Sequence, residues 1–298
     1  MKSKQLTIVT PTFNRSNELQ KLYQSLLQQD SYDFNWLIVD DGSTDDTKEV
    51  VNNFMNNYFS FRYVYKKNGG KHTAHNESLK YISTDLTMIV DSDDTLTPDA
   101  VSSILKEWNL VDNEKLCGLS FLKQNTMGEI SGKSFPENKI IGNFIDIRIN
   151  RNDISEKAEV WKTSVLKKYP FPEYENENYV PEGAIWATIG KEYDMLFINK
   201  IIYIYNYQED GLTRSGRLLR LKNPKGGIFA AKIGIDNRYN LKARCKKMLL
   251  YICYSLIAKI NIINMYKDSN KKMLFLLMFP FGLLLKIYWT KKYISIDS

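Results

Sequence analysis

Cysteine and histidine are scarce in this 298-residue chain, and that scarcity excludes several chemistries. Cys117, Cys245 and Cys253 make neither an even set nor a CxxC pair. This argues against a disulfide framework or a structural zinc site and for a reducing compartment. The two histidines, His72 and His75, lie three apart, but no cysteine or third histidine supports a zinc reading of them. Zinc-finger spacing and a Gly-flanked aromatic RNA-binding signature are both missing, which leaves no case for a nucleic-acid partner. No internal repeat or low-complexity stretch appears, and no signal-peptide core precedes the strand-like run at Leu6. The expectation is a folded protein whose bulk stays in the cytoplasm.

Acidic residues nearly vanish after residue 211. Residues 212–298 hold 18 Lys/Arg against 3 Asp/Glu, whereas residues 1–211 hold 23 against 31, so the overall charge of +7 hides an acidic body and a basic tail. The tail is also rich in Leu, Ile, Phe, Met and Tyr. Basic and apolar character together favour an anionic membrane surface over a nucleic-acid groove.

What is present over the first hundred residues is an alternation of short apolar runs with helical stretches. Strands are expected at Leu6–Thr10, Trp36–Val39, Phe61–Tyr65 and Leu86–Val90. Helices are expected at Asn17–Gln29, Thr44–Asn57 and His72–Tyr81, and from Pro98 onward. Such repeats imply right-handed βαβ crossovers and an α/β, doubly wound, mostly parallel sheet, whose ligands bind beyond the carboxyl ends of the strands. Three polar clusters, Pro11–Arg15, Asp40–Ser43 and Asp91–Asp94, sit at ends of that kind. Further on, strands are expected at Leu116–Leu122, Met195–Ile198 and Ile201–Tyr207, with helix at Val165–Tyr169 and Ala184–Gly190.

The clusters differ in strength. Asp91-Ser92-Asp93-Asp94 gathers three carboxylates that repel one another unless a cation lies among them. Hard oxygen ligands suit Mg²⁺ or Mn²⁺ bound with substrate phosphates, whereas an N-cap ahead of the Pro98 helix would need only one acid. Asp40-Asp41-Gly42-Ser43 suits contact with a base or ribose, though alone it reads equally well as a turn capping the next helix. Thr10, Pro11 and Thr12 are candidates for nucleotide contact, while Asn14 and Ser16 serve as caps. The loop Asn68-Gly69-Gly70-Lys71 before a helix can cradle phosphate, with Lys71 and His75 in reach, but it lacks Walker A spacing.

These four pieces, in this order, resemble the family 2 glycosyltransferases, inverting enzymes of the GT-A fold. The resemblance is strong over about 1–110 and looser to about 211. It implies a catalytic domain over 1–211, with a nucleotide-sugar-binding half at 1–110 and an acceptor half at 111–211; beyond that the resemblance says nothing specific, and residues 212–298 read from their composition as a basic, apolar helical extension. The resemblance further implies that Asp40 reads the uracil of a UDP-sugar. Asp91 and Asp93 would border ribose, diphosphate and a Mn²⁺ or Mg²⁺ ion, with Ser92 and Asn76 also on the donor side. His75 stands where the family often has Arg.

An inverting transfer needs a base to deprotonate the acceptor hydroxyl. Tyr179-Val180-Pro181-Glu182-Gly183 matches the family's acidic motif opening a helix, which makes Glu182 the candidate, with Glu159 and Asp153 as rivals. Trp186, one turn on, is expected to stack on an acceptor sugar, with Glu159 and Trp161 beside it. Arg214, in a polar Gly-containing loop, is placed where family members close over the diphosphate.

In the tail, Met273–Leu285 is an apolar run of 13 residues flanked by lysines. It is short of the roughly 20 needed to span a bilayer, and Pro280-Phe281-Gly282 is expected to interrupt it. An interfacial segment on the inner face of the cell membrane is the expectation, and a lipid-linked saccharide acceptor would suit it. Two rival activities keep part of this reading: a nucleotidyltransferase, which wants an N-terminal Gly-rich loop that Thr10–Arg15 does not supply, and a non-catalytic nucleotide-sugar-binding scaffold.

Overall fold

The computed structural model describes residues 5–111, 114–153, 155–206 and 216–294. Its first half is a run of crossovers: β1 (Leu6–Thr12), α1 (Ser16–Leu27), β2 (Phe34–Asp40), α2 (Thr47–Asn52), β3 (Ser60–Tyr65), α3 (Lys71–Ser78) and β4 (Leu86–Ile89). β1 is buried at all seven positions, since a parallel strand covered on both faces has no solvent side, and its Thr7 hydroxyl finds a partner inside, 2.7 Å from that of Thr84. Alternate residues serve alternate faces. Leu6 and Ile8 join Trp36, Ile38 and Met88 in the core under Leu19, Leu22 and Leu26 of α1. Val9 joins Leu37, Val39 and Ala74 of α3 on the other face.

The second half adds β5 (Thr95–Leu96), α4 (Ala100–Asn109), β6 (Leu116–Asn125), β7 (Ile140–Asn143), a π-turn at Ile145–Ile149, β8 (Ala158–Lys162), α5 (Thr163–Leu166), α6 (Glu182–Ile189) and β9 (Asp194–Tyr205). One nine-stranded sheet results, in the order β3-β2-β1-β4-β8-β6-β9-β5, with β7 also on β9. The β3-β2-β1-β4 portion is parallel, and β8 runs antiparallel between β4 and β6. The two strands expected at Met195–Ile198 and Ile201–Tyr207 are a single strand. It pairs with β6 on both sides of the polar Asn199-Lys200 pair, where the register shifts between Ser120↔Phe197 and Leu122↔Ile201.

The tail contains α7 (Gly216–Lys222), α8 (Pro224–Ile233), α9 (Leu241–Ile257), α10 (Ile262–Asp268), α11 (Lys272–Trp289) and a π-turn at Thr290–Ile294. The expected boundary at 211/212 falls outside the described residues. α11 corrects another expectation, because it runs unbroken through Pro280. Its buried residues Phe275, Gly282 and Trp289 recur every seven positions, a stripe facing the protein. A Cβ on Gly282 would meet Ile252 of α9 at 2.5 Å, so glycine permits the close crossing. The stretch Lys272–Tyr293 is long and apolar enough to cross a membrane, with mean hydropathy 1.7.

Candidate active site

The sheet's carboxyl edge gathers the polar clusters. Thr12 at the end of β1 is in register with Asp40 at the end of β2, and Val90 extends β4 by donating to Val9 O at 2.9 Å. The acid turn therefore leaves β4 beside the ends of β1 and β2. Asp91, Asp93 and Asp94 each turn one carboxylate oxygen to a common point, all within 4.8 Å of one another. Burial, then the charge of Asp91, raises the Asp93 carboxyl and pushes Asp94 up to about 7. Hard oxygen donors penalised for staying charged are what a divalent ion suits, so this group fits a metal. Among the described residues no other such group occurs, and neither histidine belongs to it.

β9 completes the turn from far along the chain. β5 pairs with Tyr203 and Ile204, which brings the fully buried Tyr203 under the acids. The Asp91 backbone N–H donates to the Tyr203 hydroxyl at 3.0 Å, and the Asn206 N–H donates to Asp94 Oδ1 at 2.9 Å. Lys123 lies over the Tyr203 ring, 3.8 Å from its centre. Tyr203 has no signal in the sequence beyond its place in an apolar run, because its role comes from a strand pairing about a hundred residues away.

Glu182 stands at the start of α6, facing the acid turn. Lys71 bridges the two: its Nζ is 2.6 Å from Asp91 Oδ1 and 2.7 Å from Glu182 Oε1, and His75 Nε2 lies 3.3 Å from the same Glu182 oxygen. Burial alone would raise the Glu182 carboxyl, but Lys71 and His75 outweigh it and hold it well below the usual carboxylate range. Burial likewise opposes charge on Lys71, yet Asp91 and Glu182 hold it well above the ordinary lysine value.

The other predicted residues fall into distinct places. Asp40 is fully buried, and its carboxylate accepts from Ser43 N at 2.7 Å and from the Tyr63 hydroxyl at 2.5 Å. Asp41 accepts from Lys66 at 2.6 Å and from the Gly69 and Gly70 N–H groups at 3.0 and 2.7 Å, so it pins the glycine loop. The Thr10 hydroxyl accepts from the Trp36 indole at 3.0 Å, inside the sheet rather than toward a nucleotide. Pro11, Thr12 and Ser92 are buried at the edge, and the Thr12 hydroxyl has no hydrogen-bond partner.

Three expectations need correction. The Asn76 amide is engaged with the Phe171 backbone on both sides and with Glu173, so it anchors a loop instead of facing a diphosphate. Trp186 and Trp161 stack on each other with centroids 4.5 Å apart and are 7% and 1% exposed, so neither offers a ring face to a sugar. Trp186 was read from its place one helical turn after Glu182 and Trp161 from its nearness to Glu159, and neither reveals that the two rings meet. Glu159 lies in a buried ion cluster, 3.2 Å from Arg148, with Asp153 and Lys157 also present. Burial raises its carboxyl, partly offset by Arg148 and Lys123. Arg214 and its loop lie outside the described residues.

A mixed sheet with an acid turn at the carboxyl end of its fourth strand, faced by a carboxylate opening a helix, defines a glycosyltransferase of the GT-A fold. Comparison with known proteins agrees. The model of "Glycosyl transferase family 2" matches residues 7–158, and the chain belongs to that family. It is 28% identical over 218 residues to the GalNAc(5)-diNAcBac-PP-undecaprenol beta-1,3-glucosyltransferase of Campylobacter jejuni, covering 70% of this chain and 67% of that enzyme. It is 38% identical over 112 residues to the chondroitin synthase of Pasteurella multocida, a match covering 38% of the chain but only 12% of the synthase. Among solved structures, S. aureus TarS in complex with UDP-GlcNAc aligns over 92% of this chain and 79% of its own, with TM-score 0.60 and 18% identity. The mannosyltransferase PcManGT of Pyrobaculum calidifontis, in complex with GDP-Man and Mn²⁺, aligns over 96% of this chain and 83% of its own, with TM-score 0.56 and 16% identity.

Proposed function

We propose that this protein is an inverting, metal-dependent glycosyltransferase. It would move one sugar from a UDP-sugar to a hydroxyl of a saccharide or lipid-linked saccharide in surface polysaccharide synthesis. The observation that carries the reading is the acid turn facing Glu182 through Lys71. Asp91 and Asp93 would hold Mn²⁺ or Mg²⁺, which when bound neutralises charge on the departing diphosphate. The Campylobacter relative, whose name carries a lipid-linked acceptor, and the UDP-GlcNAc complex of TarS support the donor and acceptor classes.

Glu182 is the base in this reading, and Lys71 governs it. Paired with Lys71, the Glu182 carboxylate is ionised but a poor proton acceptor, since a base works best with a pKa near the working pH. An arriving diphosphate offers Lys71 a stronger anionic partner than Glu182. Drawing the ammonium away returns proton affinity to the carboxylate when the donor is in place. His75 stays against Glu182 and keeps it oriented. Water or the acceptor hydroxyl would then lose its proton to Glu182 as it attacks the sugar carbon opposite the leaving diphosphate.

The tail supports a peripheral seat on the inner face of the cell membrane. α11 uses one face against α9 and leaves Met273, Leu276, Leu277, Phe281, Leu284 and Ile287 exposed. A helix with one stripe packed on its own protein and the other apolar is suited to lie in the interface, with Lys271, Lys272, Lys291 and Lys292 among lipid headgroups.

The test is a donor panel: UDP-glucose, UDP-galactose, UDP-GlcNAc, UDP-GalNAc and GDP-mannose, each with Mn²⁺ or Mg²⁺, read as nucleotide released. We expect UDP release from at least one UDP-sugar, lost with chelator or in Asp93→Ala, and reduced about 100-fold or more in Glu182→Gln. Release from GDP-mannose alone would overturn the donor class. UDP binding without turnover of any donor would favour a scaffold.

A further inference from the structure

Residues 171–181, between α5 and the base-bearing helix α6, have no regular structure, yet they are held from both sides. On one side is α3. Asn76 grips the Phe171 backbone, and Gly70 (φ +93°) lies so near Asn178 that a Cβ there would come within 1.8 Å of its carbonyl oxygen. On the other side is the tail. The first N–H groups of α8 close on the Glu177 carboxylate: Lys225 N donates to Oε1 at 2.9 Å and Gly226 N to Oε2 at 3.0 Å. Asn178 N donates to Oδ1 of Asn223, the residue just before α8, at 2.7 Å. Asn223 is 3% exposed and fixed in turn by donating to Leu219 O at 2.8 Å. Gly226 approaches so closely that a Cβ would come within 2.4 Å of Tyr179 O.

We infer that Glu177 and Asn223 are positioning residues for Glu182: the start of α8 presses residues 177–180 against Gly70 and so fixes where the base stands. A carboxylate across two N–H groups at a helix start is favoured by both hydrogen bonding and the helix dipole. Glu182 follows Glu177 by five residues, and Pro181 makes the last link stiff. Its contact with His75 and its place opposite Asp91 must hold closely to serve as described, because displacement of about 1 Å can cost a hundredfold in rate. A segment without ladder hydrogen bonds of its own keeps such precision only through what clamps it. The helical tail is thereby part of the catalytic apparatus as well as its proposed seat on the membrane.

This inference rests on reading Glu182 as the base, and the experiment separates the two. In the full-length protein, UDP release is measured from whichever UDP-sugar the panel shows to be turned over, and UDP affinity with Mn²⁺ is measured by calorimetry. Glu177→Ala and Asn223→Ala are expected to lower kcat at least tenfold while UDP affinity and donor KM stay within about twofold. Glu177→Gln and Asn223→Asp keep one acceptor oxygen each but set an amide NH2 against a helix N–H and a carboxylate against Leu219 O, so they are expected to recover only part of the rate, above the alanine variants and below the parent. Should Glu177→Ala fail to fold, the Asn223 pair reads the same clamp from the helix side. Full kcat in both alanine variants, or parallel loss of kcat and UDP affinity, overturns the clamp. If Glu182→Gln itself keeps full activity, it is the base reading that falls.

Discussion

The Asp94 carboxylate is held where an ion would relieve it, which gives a pH signature at a single residue. Burial and the neighbouring Asp91 charge push its pKa up to about 7, against about 3.9 in the unfolded chain. Between those values the folded state keeps a proton that the unfolded state has released, so stability falls as pH rises. Below about 4 the two states match, and above about 7 the penalty is complete. With chelator present, the melting temperature is expected to drop between pH 5 and 7.5, on the order of a few degrees. Asp94→Asn should flatten that slope relative to the parent protein, and Mn²⁺ should stabilise the parent more at pH 7.5 than at pH 5. An unchanged slope in Asp94→Asn, followed by scanning fluorimetry, would show that the penalty lies elsewhere. The sequence made the acids visible because three carboxylates in four residues are hard to explain otherwise. It did not separate the buried Asp94 from the half-buried Asp91 and Asp93, since that depends on Tyr203 and Asn206, which arrive through β9.

At the scale of elements, residues near one another in sequence were easier to read than those joined by pairing. β1, β2 and β4 were legible as largely apolar runs ending in polar clusters, because a parallel strand covered on both faces leaves little choice of residue, whereas the edge strand β3, with no buried residue, was legible from its Phe, Tyr and Val. β7 and β8 were not, being four and five residues long and set in irregular chain, where β8 is fixed by its neighbours β4 and β6. The same limit explains the glycine loop. Gly69-Gly70 reads naturally as a place where backbone meets phosphate, but Gly70 is also required by a backbone φ of +93° and by the Asn178 carbonyl. At Gly69 a Cβ would meet side chains and no backbone, Thr73 at 2.8 Å and Lys66 at 3.3 Å, with no left-handed φ. Gly70→Ala is therefore expected to cost about 2–3 kcal/mol or more, and Gly69→Ala much less. Denaturant midpoints at constant m-value would check the contrast. Equal losses at the two positions would mean that Asn178 can move aside freely.

For the whole molecule, the charge split between body and tail meets its structural counterpart in α10 and α11. Ile262, Ile263 and Tyr266 of α10 are exposed along with the outer face of α11, where Leu277 is 65% and Leu284 63% exposed. Entry of one such leucine into acyl chains is worth about 1.5–3 kcal/mol, and each lysine near an anionic leaflet adds about 1 kcal/mol that salt weakens. A few residues of each kind suffice for binding in the micromolar range. The packed stripe of Phe275, Gly282 and Trp289 stays with α9 throughout, so the helix need not leave the protein to reach lipid. The protein is expected to sediment with vesicles containing phosphatidylglycerol, less so in high salt, and poorly with purely zwitterionic ones. The double substitution Leu277→Glu and Leu284→Glu changes only outward residues. It should release the protein from vesicles while hydrolysis of a soluble donor continues at the parental rate, because both residues lie on the exposed face of α11. Vesicle binding that survives the double variant would remove α11 from the contact. Resistance of the parent protein to alkaline extraction would replace a helix lying on the membrane with one that crosses it, and α9 would then have to give up the stripe that α11 now covers.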